Sequence, residues 1–484
     1  MVEPTSNPTQ LLRYMLGPWH EASGPLYVLL ADAIQRAVQS GQLPLGSRLP
    51  AERPLAEVLA ISRTTVAAAY ELLRQREVVA RRQGAGTYVG YYGGGSLAAR
   101  TMLGGGDAPQ ADPPDEIDFS NSAPMGDGVF PDGALAGLQA GFRRASQGHG
   151  YSAAGLPELR AAIAERLSRC GTPTTPEQVV VTTGAQQALY LCAQLFVRPG
   201  DLVVVEDPTW LGSIDAYRAA RARVIGALLD REGARTAEYT EAVGRERIPV
   251  FHVSPSLNNP TGVIMSERRR RELVALAERN STAIIEDNTL AELAFGPTPP
   301  PIAALEAKVP VLSIGSLSKV LWGGLRVGWV RADEKLIGRL SRIKLTVDQG
   351  GPVLDQLLAV ELLRDIDAVR AARIEASRAR LAVLEDELRA HLPSWSWDPP
   401  AGGLSLWVTL PQGDAVDFAA VARRHGVRVA PGPMLSPTTR MEQQLRLSFV
   451  QDPQALAEGA RRLAQAWAQY LSSREDRRLP TLVG

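Results

Sequence analysis

The chain has 484 residues, of which 45% are apolar and 21% are charged, and these values are typical of a globular protein with two or three folding units. Because 52 Lys and Arg residues balance 52 Asp and Glu residues, the overall charge requires neither nucleic acid nor an anionic membrane as a partner. Two cysteines, Cys170 and Cys192, exclude a disulfide framework, and no spacing of Cys and His residues indicates a metal site.

The first part of the chain predicts three helices and a hairpin. Apolar residues recur at helical spacing over 26–38, and a short helix with Pro54 in its first turn is predicted over 49–59. Ser62 is a favourable N-cap for a third helix, which we expect over 63–76. Two short strands separated by a glycine-containing turn follow, and this order of elements is that of a winged helix.

The third helix begins with side chains that suit nucleic acid. Arg63, Thr64 and Thr65 stand at the end of the helix that a recognition helix points toward base edges in the major groove. An arginine there can bond guanine bidentately, whereas hydroxyl groups and a helix N-terminus suit phosphates. The spacing by itself is equally compatible with a helical hairpin that carries a solvated arginine face.

The segment from Pro25 to Val89 resembles the winged helix of the GntR family of bacterial repressors and activators. The resemblance rests on the motifs LPAER and SRTTV and on GAGTYV in the hairpin. It implies that operator DNA is the partner, and it implies a set of DNA-binding residues that comprises Arg53, Ser62, Arg63, Thr64, Thr65, Gln83 and Gly84.

The composition changes over 93–116, where Gly, Pro and small residues predominate without apolar periodicity. We expect a flexible linker here, between a winged-helix domain over 20–92 and a second domain over 117–472. Residues 473–484 carry charge and little else, and we expect a frayed tail. Neither a secretory signal nor an apolar stretch long enough to span a membrane is found, which favours a cytoplasmic protein.

The second domain alternates short β-branched runs with helical patterns, which predicts a mainly parallel sheet with helices on both faces. The predicted strands share buried, β-branched character and cover 179–181, 202–205, 250–253, 283–285 and 311–314. A smaller α+β lobe is expected over 355–472. The basic run from Arg268 to Arg271 is interpreted as the solvated face of an amphipathic helix capped by Ser266.

Polar residues follow several of these strands. Gly184 lies where a strand passes into a helix, and the free N–H groups there suit a phosphate as well as an ordinary turn. Asn259 opens an Asn-Pro-Thr-Gly sequence that is also typical of a simple turn. Asp287 ends a strand at the edge where open α/β sheets bind ligands. A carboxylate there can act either as a helix cap or as a partner for a protonated pyridine nitrogen.

Lys319 follows the strand over 311–314 in the sequence Ser-Leu-Ser-Lys, and it is one of only four lysines in the chain. A primary amine can form an imine, which the guanidinium group of arginine cannot. The alternative at this point is a solvated surface lysine. The five histidines show no ligand spacing, and none is assigned a catalytic role.

The order of these motifs resembles that of the fold type I aminotransferases that use pyridoxal 5′-phosphate (PLP), over about Asp118 to Leu471. It runs Y-x₃-G, T-x-G-x-Q, N-P-x-G, a strand-end Asp, S-x-S-K and G-L-R. The resemblance implies that Lys319 forms the aldimine with PLP, Asp287 pairs with the ring nitrogen and Asn259 bonds the ring hydroxyl. The residues implied to hold the phosphate are Gly184, Ala185, Gln186, Ser316 and Arg326.

Three further positions follow from the same resemblance. Trp210 would stack on the pyridine ring or border the substrate pocket. Tyr151 would reach the phosphate of the partner subunit, so a homodimer is implied. Arg446 would grip the carboxylate of an amino-acid-like ligand.

One position departs from the pattern. Related regulators usually carry a tyrosine two residues after the strand-end aspartate, and its hydroxyl bonds the ring oxygen. Thr289 stands there in this chain, and its shorter side chain puts efficient transamination in doubt.

A winged helix joined by a linker to an aminotransferase-like domain resembles the MocR subfamily of GntR-type bacterial transcriptional regulators. The resemblance implies a regulator that senses PLP, or an amino-acid-like effector, through the aldimine at Lys319. The alternatives are an active PLP-dependent aminotransferase with an accessory DNA-binding domain and a scaffold protein with neither activity.

Overall fold

The computed structural model describes residues 12, 16, 19, 24–39, 43, 49–75, 78–82, 86–89, 115–126, 134–244, 246–438 and 440–476. The chain divides into two compact units, residues 1–109 and 110–484. Parts of three sequence predictions lie outside the described residues: Gln83 and Gly84 of the DNA-binding set, residues 93–114 of the linker and residues 477–484 of the tail.

The first unit has the predicted order of elements. Its helices and strands are α1 (Leu26–Gln39), α2 (Glu52–Leu59), α3 (Arg63–Gln75), β1 (Val79–Arg82) and β2 (Gly86–Val89). The two strands pair antiparallel, with Val79 opposite Val89. Leu30 and Ile34 of α1 pack in one core with Val66 and Leu73 of α3, and the expected winged helix is confirmed.

A tight turn joins α2 to α3. Ala60 adopts a left-handed conformation with φ of 55°, which ends α2, and its N–H donates back to the carbonyl of Glu57. The Ser62 hydroxyl then accepts a hydrogen bond of 3.0 Å from the backbone N–H of Thr65. Ser62 is therefore the N-cap of α3, as predicted, and its hydroxyl satisfies a free N–H group in the first turn of that helix.

The second unit is built on an eight-stranded sheet. In spatial order its strands are β4 (Val179–Thr182), β11 (Gly328–Arg331), β10 (Val311–Ser316), β9 (Ala283–Asp287), β8 (Val250–Val253), β5 (Leu202–Asp207), β6 (Arg223–Asp230) and β7 (Gly233–Ala234). The run from β10 to β6 is parallel, whereas β11 and β7 are antiparallel to their neighbours. The mainly parallel sheet that the alternating pattern predicts is confirmed.

Helices cover both faces of this sheet. They are α4 (Ala134–Ala145), α5 (Pro157–Arg169), α6 (Ala185–Phe196), α7 (Leu211–Ala219), α8 (Thr236–Val243), α9 (Glu267–Asn280), α10 (Glu334–Val347) and α11 (Val353–Arg364). Consecutive strand residues belong to different cores, because side chains alternate across a strand. Val205 and Ile285 pack in the core that contains residues of α6 and α7, whereas Val204 and Ile284 pack in the core that contains residues of α8 and α9.

The C-terminal lobe contains an antiparallel sheet of β12 (Ser396–Trp397), β13 (Ser405–Thr409), β16 (Gln444–Ser448) and β15 (Ala430–Pro431). Its helices are α12 (Ile366–His391), α13 (Ala415–Arg424) and α14 (Pro453–Asp476). A further strand, β14 (Val427–Arg428), pairs in parallel with β3 (Ile117–Asp118). Trp395, Phe418 and Trp467 meet edge to face in the core, with ring centroids between 5.3 and 5.6 Å apart.

Both ends of this unit differ from the prediction. Glu116, which was assigned to the flexible linker, has a buried carboxylate that forms an ion pair with Arg428. The carbonyl of the preceding Asp115 accepts a hydrogen bond of 2.7 Å from Arg462. Residues 473–476, assigned to the tail, continue α14. Long-range partners order residues 115 and 116, and composition does not reveal such partners.

The interpretation of the basic run was wrong for two of its four arginines. Arg268 and Arg271 are exposed as expected, but Arg269 is almost buried and Arg270 is fully buried. The Arg270 guanidinium donates to the carbonyls of Pro255 at 2.7 Å, Pro300 at 2.9 Å and Met265 at 3.0 Å. Loop carbonyls therefore satisfy this cation in the interior, as a buried charge requires.

Glu206, in β5, is a buried carboxyl group next to the strand end. The backbone N–H of Ser254 and the side-chain amide of Asn258 both donate to its Oε2 atom, at 2.9 and 2.8 Å. Burial raises the pKa of Glu206 to about 7 despite these two hydrogen bonds. The folded protein therefore retains a proton here that the unfolded chain releases at lower pH.

We predict that Glu206→Gln flattens the pH dependence of stability. The pKa of Glu206 rises from 4.5 to about 7 on folding, so the wild type loses stability as the pH rises through this window, by about 3 kcal/mol. Glutamine retains one oxygen for both donors and does not ionise. Urea denaturation at about pH 5 and about pH 8 measures the difference, with the exposed Glu165→Gln as control. An unchanged pH slope in Glu206→Gln would contradict the assignment.

Candidate functional site

The candidate site lies at the carboxyl edge of the parallel strands. Asp287 is the last residue of β9 and Ser316 is the last residue of β10. Asp287 lies beside Ile314 in the register of these strands, so the turn that follows β10 begins next to the aspartate. Lys319 is in that turn, as the sequence motif requires. Open α/β sheets bind their ligands at this edge.

Lys319 is held by the segment that precedes α4. Its Nζ donates a hydrogen bond of 2.9 Å to the carbonyl oxygen of Ser122. Burial and the nearby Arg446 guanidinium lower the pKa of Lys319 to about 8, whereas Asp287 acts in the opposite direction. Because an amine is nucleophilic only after it loses its proton, Lys319 is available for covalent chemistry about two pH units below an ordinary lysine.

Asp287 is buried and faces two neighbours. One carboxylate oxygen accepts a hydrogen bond of 2.9 Å from the backbone N–H of Thr289. On the adjacent strand β8, burial lowers the pKa of His252 to about 4, so that this imidazole is neutral at neutral pH. The hydroxyl of Tyr217 lies 3.3 Å from its Nδ1. Asp287 is thus a buried acidic group at a strand end, and it can hold a cationic ring nitrogen.

The turn before α6 is a candidate anion site. Gly184 is the N-cap, with φ of 84° and without a side-chain capping bond. Arg326 donates from Nη2 to the carbonyl of Thr183 at 2.7 Å, and a Cβ atom on Gly184 would lie only 2.9 Å from this nitrogen. A guanidinium group beside the positive end of a helix attracts an anion such as a phosphate. Arg326 itself has a positive φ of 51°, an uncommon conformation that marks it as tightly constrained.

Two of the predicted phosphate residues use their side chains elsewhere. Gln186 donates to the carbonyl of Gly212 at 2.8 Å and accepts from the indole nitrogen of Trp210 at 3.4 Å. Ser316 donates to the carbonyl of Val327 at 3.1 Å. The half-buried Trp210 is thereby tied to the first turn of α6. Gln186 and Ala185 offer backbone N–H groups to an anion at this helix end.

Arg446, in β16, is fully buried and reaches the same site. Its Nη1 donates to the side-chain oxygen of Asn259 at 3.2 Å, and its Nη2 donates to the carbonyl of Ser120. Its Nε has no hydrogen-bond partner among the described residues. Burial lowers the pKa of Arg446 to about 10, and the group remains a cation at neutral pH. The structure thus brings Asn259, Arg446 and Lys319 together.

Sequence reasoning missed Ser120 and Ser122. Their carbonyl oxygens accept hydrogen bonds from Arg446 and Lys319, and they belong to the segment that follows β3. Backbone carbonyls carry no signature of residue type. The only available signal was a run of small polar residues directly after the linker, from Ser120 to Ser122.

Tyr151 lies outside this cluster. Its side chain is 67% exposed and stacks on His149, with ring centroids 5.9 Å apart. It lines an open pocket of about 650 Å³ together with Thr183 and Asp348. The tyrosine therefore stands on the surface beside the anion site, and its predicted contact with a partner subunit stays a prediction.

The residues present fit PLP. The site combines a primary amine of lowered pKa, a strand-end carboxylate and an anion-binding helix terminus, which match the aldehyde, the ring nitrogen and the phosphate of this cofactor. The buried hydroxyls of Ser122 and Thr289 have no hydrogen-bond partner among the described residues, and each can bond a polar ligand. No group of three possible metal ligands occurs in the part of the chain that the structure describes.

Of the predicted DNA-binding residues that the structure describes, Ser62 to Thr65 lie at the start of α3 and Arg53 lies in α2. Arg53, Ser62, Arg63 and Thr64 are exposed, and Thr65 is partly exposed. The Nε of Arg63 donates to Glu52 at 3.1 Å, which leaves its two terminal nitrogens for another partner. The Ser62 hydroxyl lies 2.7 Å from that of Thr64. Across both units, no described helix is long and apolar enough to cross a membrane.

Comparison with known families assigns both units. Residues 114–463 match the family of class I and II aminotransferases, and residues 26–89 match the gntR family of bacterial regulatory proteins. The expected architecture, a winged helix followed by a fold type I aminotransferase domain, is confirmed.

Two relatives are similar over most of this chain, and a third is similar over about two thirds of it. The chain is 28% identical over 442 residues to the probable rhizopine catabolism regulatory protein MocR of Rhizobium meliloti, and this covers 84% of this chain and 88% of that protein. It is 27% identical over 478 residues to YisV of Bacillus subtilis (strain 168), an uncharacterized HTH-type transcriptional regulator, with coverage of 92% and 98%. The 2-aminoadipate transaminase of Thermus thermophilus is 33% identical over 323 residues, with coverage of 64% and 79%.

Solved structures similar to this chain are aminotransferases. LysN, the alpha-aminoadipate aminotransferase of Thermus thermophilus, complexed with N-(5′-phosphopyridoxyl)-L-leucine, superimposes with a TM-score of 0.69 at 28% identity. The kynurenine aminotransferase of Pyrococcus horikoshii also has a TM-score of 0.69, at 26% identity. Each comparison covers 78% of this chain and 96% of the other.

We predict that Gly184→Ala strains the turn before α6. The φ of 84° and ψ of 172° are reserved for glycine, and the new Cβ would crowd Arg326, so we expect a loss of about 1–3 kcal/mol in the free energy of unfolding. Gly171→Ala is the control, because Gly171 also has a positive φ but a Cβ added to it would have no atom within 4 Å. Urea denaturation measures both variants, and an equal loss in the two would mean that contact with Arg326 adds nothing.

Proposed function

Because the chain belongs to the class I and II aminotransferase family and joins that domain to a GntR-type winged helix, as the MocR-type regulators do, we propose that it is a PLP-dependent regulator of transcription. The winged helix binds operator DNA. The aminotransferase domain binds PLP and senses either the cofactor itself or an amino-acid-like effector at Lys319.

The observation that carries the proposal is the environment of Lys319. PLP, when bound, supplies an aldehyde that condenses with a primary amine and a pyridine ring that draws electrons from the resulting bond. Lys319 provides the amine, and its lowered pKa makes it available near neutral pH. Asp287 would hold the ring nitrogen through a charge-assisted hydrogen bond, and Asn259 would orient the ring hydroxyl.

The remaining groups of the site orient the cofactor. The N–H groups at the start of α6 and the Arg326 guanidinium would hold the phosphate, and Ser316 lies at the end of strand β10. Trp210 is tied to the first turn of α6, where it can cover one face of the ring. These residues only bind and orient, and they are the same whether the protein senses its ligand or transforms it.

Arg446 favours an effector with a carboxylate group. It is a fully buried cation whose present partners are neutral oxygens of Asn259 and Ser120. A carboxylate would form a stronger, charge-assisted pair with this guanidinium. An amino acid can therefore engage Arg446 with its carboxylate while its amine competes with Lys319.

The same two side chains connect the site to the linker. Arg446 and Lys319 hold the carbonyls of Ser120 and Ser122, in the first described segment after the linker. A ligand that draws either side chain away would remove a hydrogen bond that holds this segment. A difference in ligand affinity between the two arrangements would couple the site to the DNA-binding domain, as allosteric regulation requires.

A second copy of the chain is the proposed protein partner. Tyr151 is exposed beside the anion site, and Leu345, Val347 and Leu354 expose 45% to 49% of their surface near the same open pocket. Large apolar side chains so exposed in neighbouring segments favour a protein interface. In such a homodimer the predicted role of Tyr151 is to reach the phosphate bound by the partner.

An active aminotransferase is the second candidate, because every principal group that binds the cofactor is present. Thr289 argues against it as the main function. Its buried hydroxyl has no partner among the described residues, and it stands where related regulators usually carry a tyrosine that would bond the ring oxygen. A site that binds the cofactor without this contact suits sensing better than rapid turnover.

Lys319→Ala is expected to abolish covalent binding of PLP, because the other three lysines stand elsewhere in the fold. Borohydride reduction followed by peptide mass spectrometry measures the trapped cofactor, and the exposed Lys308→Ala serves as control. If Lys319→Ala still traps as much PLP as the wild type, the assignment of Lys319 as the residue that binds PLP covalently is wrong.

The same pair of variants separates sensing from catalysis. If the protein is a sensor, PLP together with candidate amino acids should change the operator affinity of wild type and Lys308→Ala by about fivefold or more, and that of Lys319→Ala not at all. Rapid formation of keto acid over many turnovers, without any change in DNA affinity, would instead identify an aminotransferase.

Arg63→Ala should weaken operator binding by about 1–3 kcal/mol, since this arginine stands at the start of the recognition helix and can pair with a guanine. Arg74→Ala is the matched control, because Arg74 lies at the opposite end of α3 and pairs with Glu71 at 2.5 Å. Fluorescence anisotropy with specific and scrambled duplexes measures both affinities. Equal binding of the two duplexes by the wild type would contradict operator recognition.

A further inference from the structure

A chain of hydrogen bonds connects the anion site to a fully buried lysine. The backbone N–H of Thr183 donates to the Oε1 of Gln187 at 2.9 Å, and the Nε2 of Gln187 donates to the Oδ2 of Asp348 at 2.7 Å. Lys344, which has no exposed surface, donates to both oxygens of Asp348 at 2.7 and 2.9 Å. The N–H of Gly350 adds a bond of 3.0 Å to Oδ1.

The charges in this chain determine which way the Gln187 amide points. A glutamine side chain has one end that donates and one end that accepts. Asp348 is ionised beside the Lys344 cation and only accepts, so it must face the amino group of Gln187. The carbonyl group of Gln187 is thereby directed at the N–H of Thr183. The buried ion pair thus determines the donor-to-acceptor direction of every hydrogen bond in this series.

Thr183 is held through its carbonyl group as well. This carbonyl accepts from Arg326 at 2.7 Å. The N–H and the carbonyl of Thr183 belong to two consecutive peptide groups, so both peptide groups directly before Gly184 are fixed. They restrain the backbone at Gly184, which has a positive φ, and at the start of α6, where free N–H groups suit an anion.

We propose that Lys344, Asp348 and Gln187 are positioning residues for the phosphate of the cofactor. They do not touch the phosphate. They fix the N–H of Thr183, and through the backbone that follows it the direction of the N–H groups that bind the anion. This inference rests on the proposed function, because it concerns the same PLP site.

The test compares PLP with pyridoxal, which lacks the phosphate. Asp348→Asn retains Oδ1 for Lys344 and Gly350 but places an amino group opposite the amino group of Gln187. The Gln187 amide must then rotate, and its amino group would face the N–H of Thr183. We expect the Kd for PLP to rise about tenfold, as for the loss of one hydrogen bond to a charged group, and the Kd for pyridoxal to change less than about twofold.

A compensating substitution provides the matched control. In Asp348→Asn/Gln187→Glu, the asparagine amino group donates to the new carboxylate, whose other oxygen accepts from Thr183, and one negative charge remains near Lys344. We expect the double variant to recover PLP affinity to within about threefold of the wild type. Gln187→Met leaves the ion pair intact and should reproduce the selective loss if Asp348→Asn does not fold.

The outcomes are distinct. A similar loss for PLP and pyridoxal, or no loss for either, would overturn the positioning role, and so would a double variant no better than Asp348→Asn. If the wild type binds neither compound, the proposed function itself fails. If the wild type binds PLP but the variants lose affinity for PLP and pyridoxal equally, the proposed function stands and only this inference is refuted.

Discussion

The function proposed for the second unit depends on a buried lysine amine that senses the charges of one guanidinium and one carboxylate. Arg446 and burial favour the neutral form of Lys319, whereas Asp287 favours the charged form, and the balance brings the pKa of the amine to about 8. The three groups come from β16, from the turn after β10 and from the end of β9. Only a folded sheet with its C-terminal lobe in place can assemble them, so the reactivity of Lys319 is a property of the tertiary structure.

Buried cations perform most of the positioning around this site. Arg270 organises the loop between β8 and α9 through backbone carbonyls, Arg446 holds the segment after β3, and Lys344 directs a chain that ends at Thr183. An unpaired charge in the interior costs several kcal/mol, so each of these side chains constrains the groups that satisfy it. Hydrogen bonds from these buried cations therefore fix the positions of loops and backbone segments near the strand ends.

The order of the motifs was sufficient to predict the architecture. Each motif combines a strand or helix, recognisable from its periodicity, with a residue whose chemical role few other residue types can fill. The strands around Val180 and Ile285 are β-branched and continuous, and the helix caps at Ser62 and Ser266 appear where expected. The predictions failed where a long-range partner overrides composition. Glu116 stands in a stretch rich in Gly and Pro but pairs with Arg428, and Arg270 stands in a basic run but finds carbonyl acceptors.

The sequence by itself determined which residue types are available and in what order: one lysine after a buried strand, one aspartate at a strand end and one glycine before a helix. These follow from local chemistry, since only lysine offers a primary amine and only glycine readily adopts the φ of 84° at residue 184. The tertiary structure decided the protonation of Lys319, the carbonyl partners at Ser120 and Ser122, and the path from Lys344 to Thr183. Each of these depends on distances between segments far apart in the chain, which no local pattern encodes.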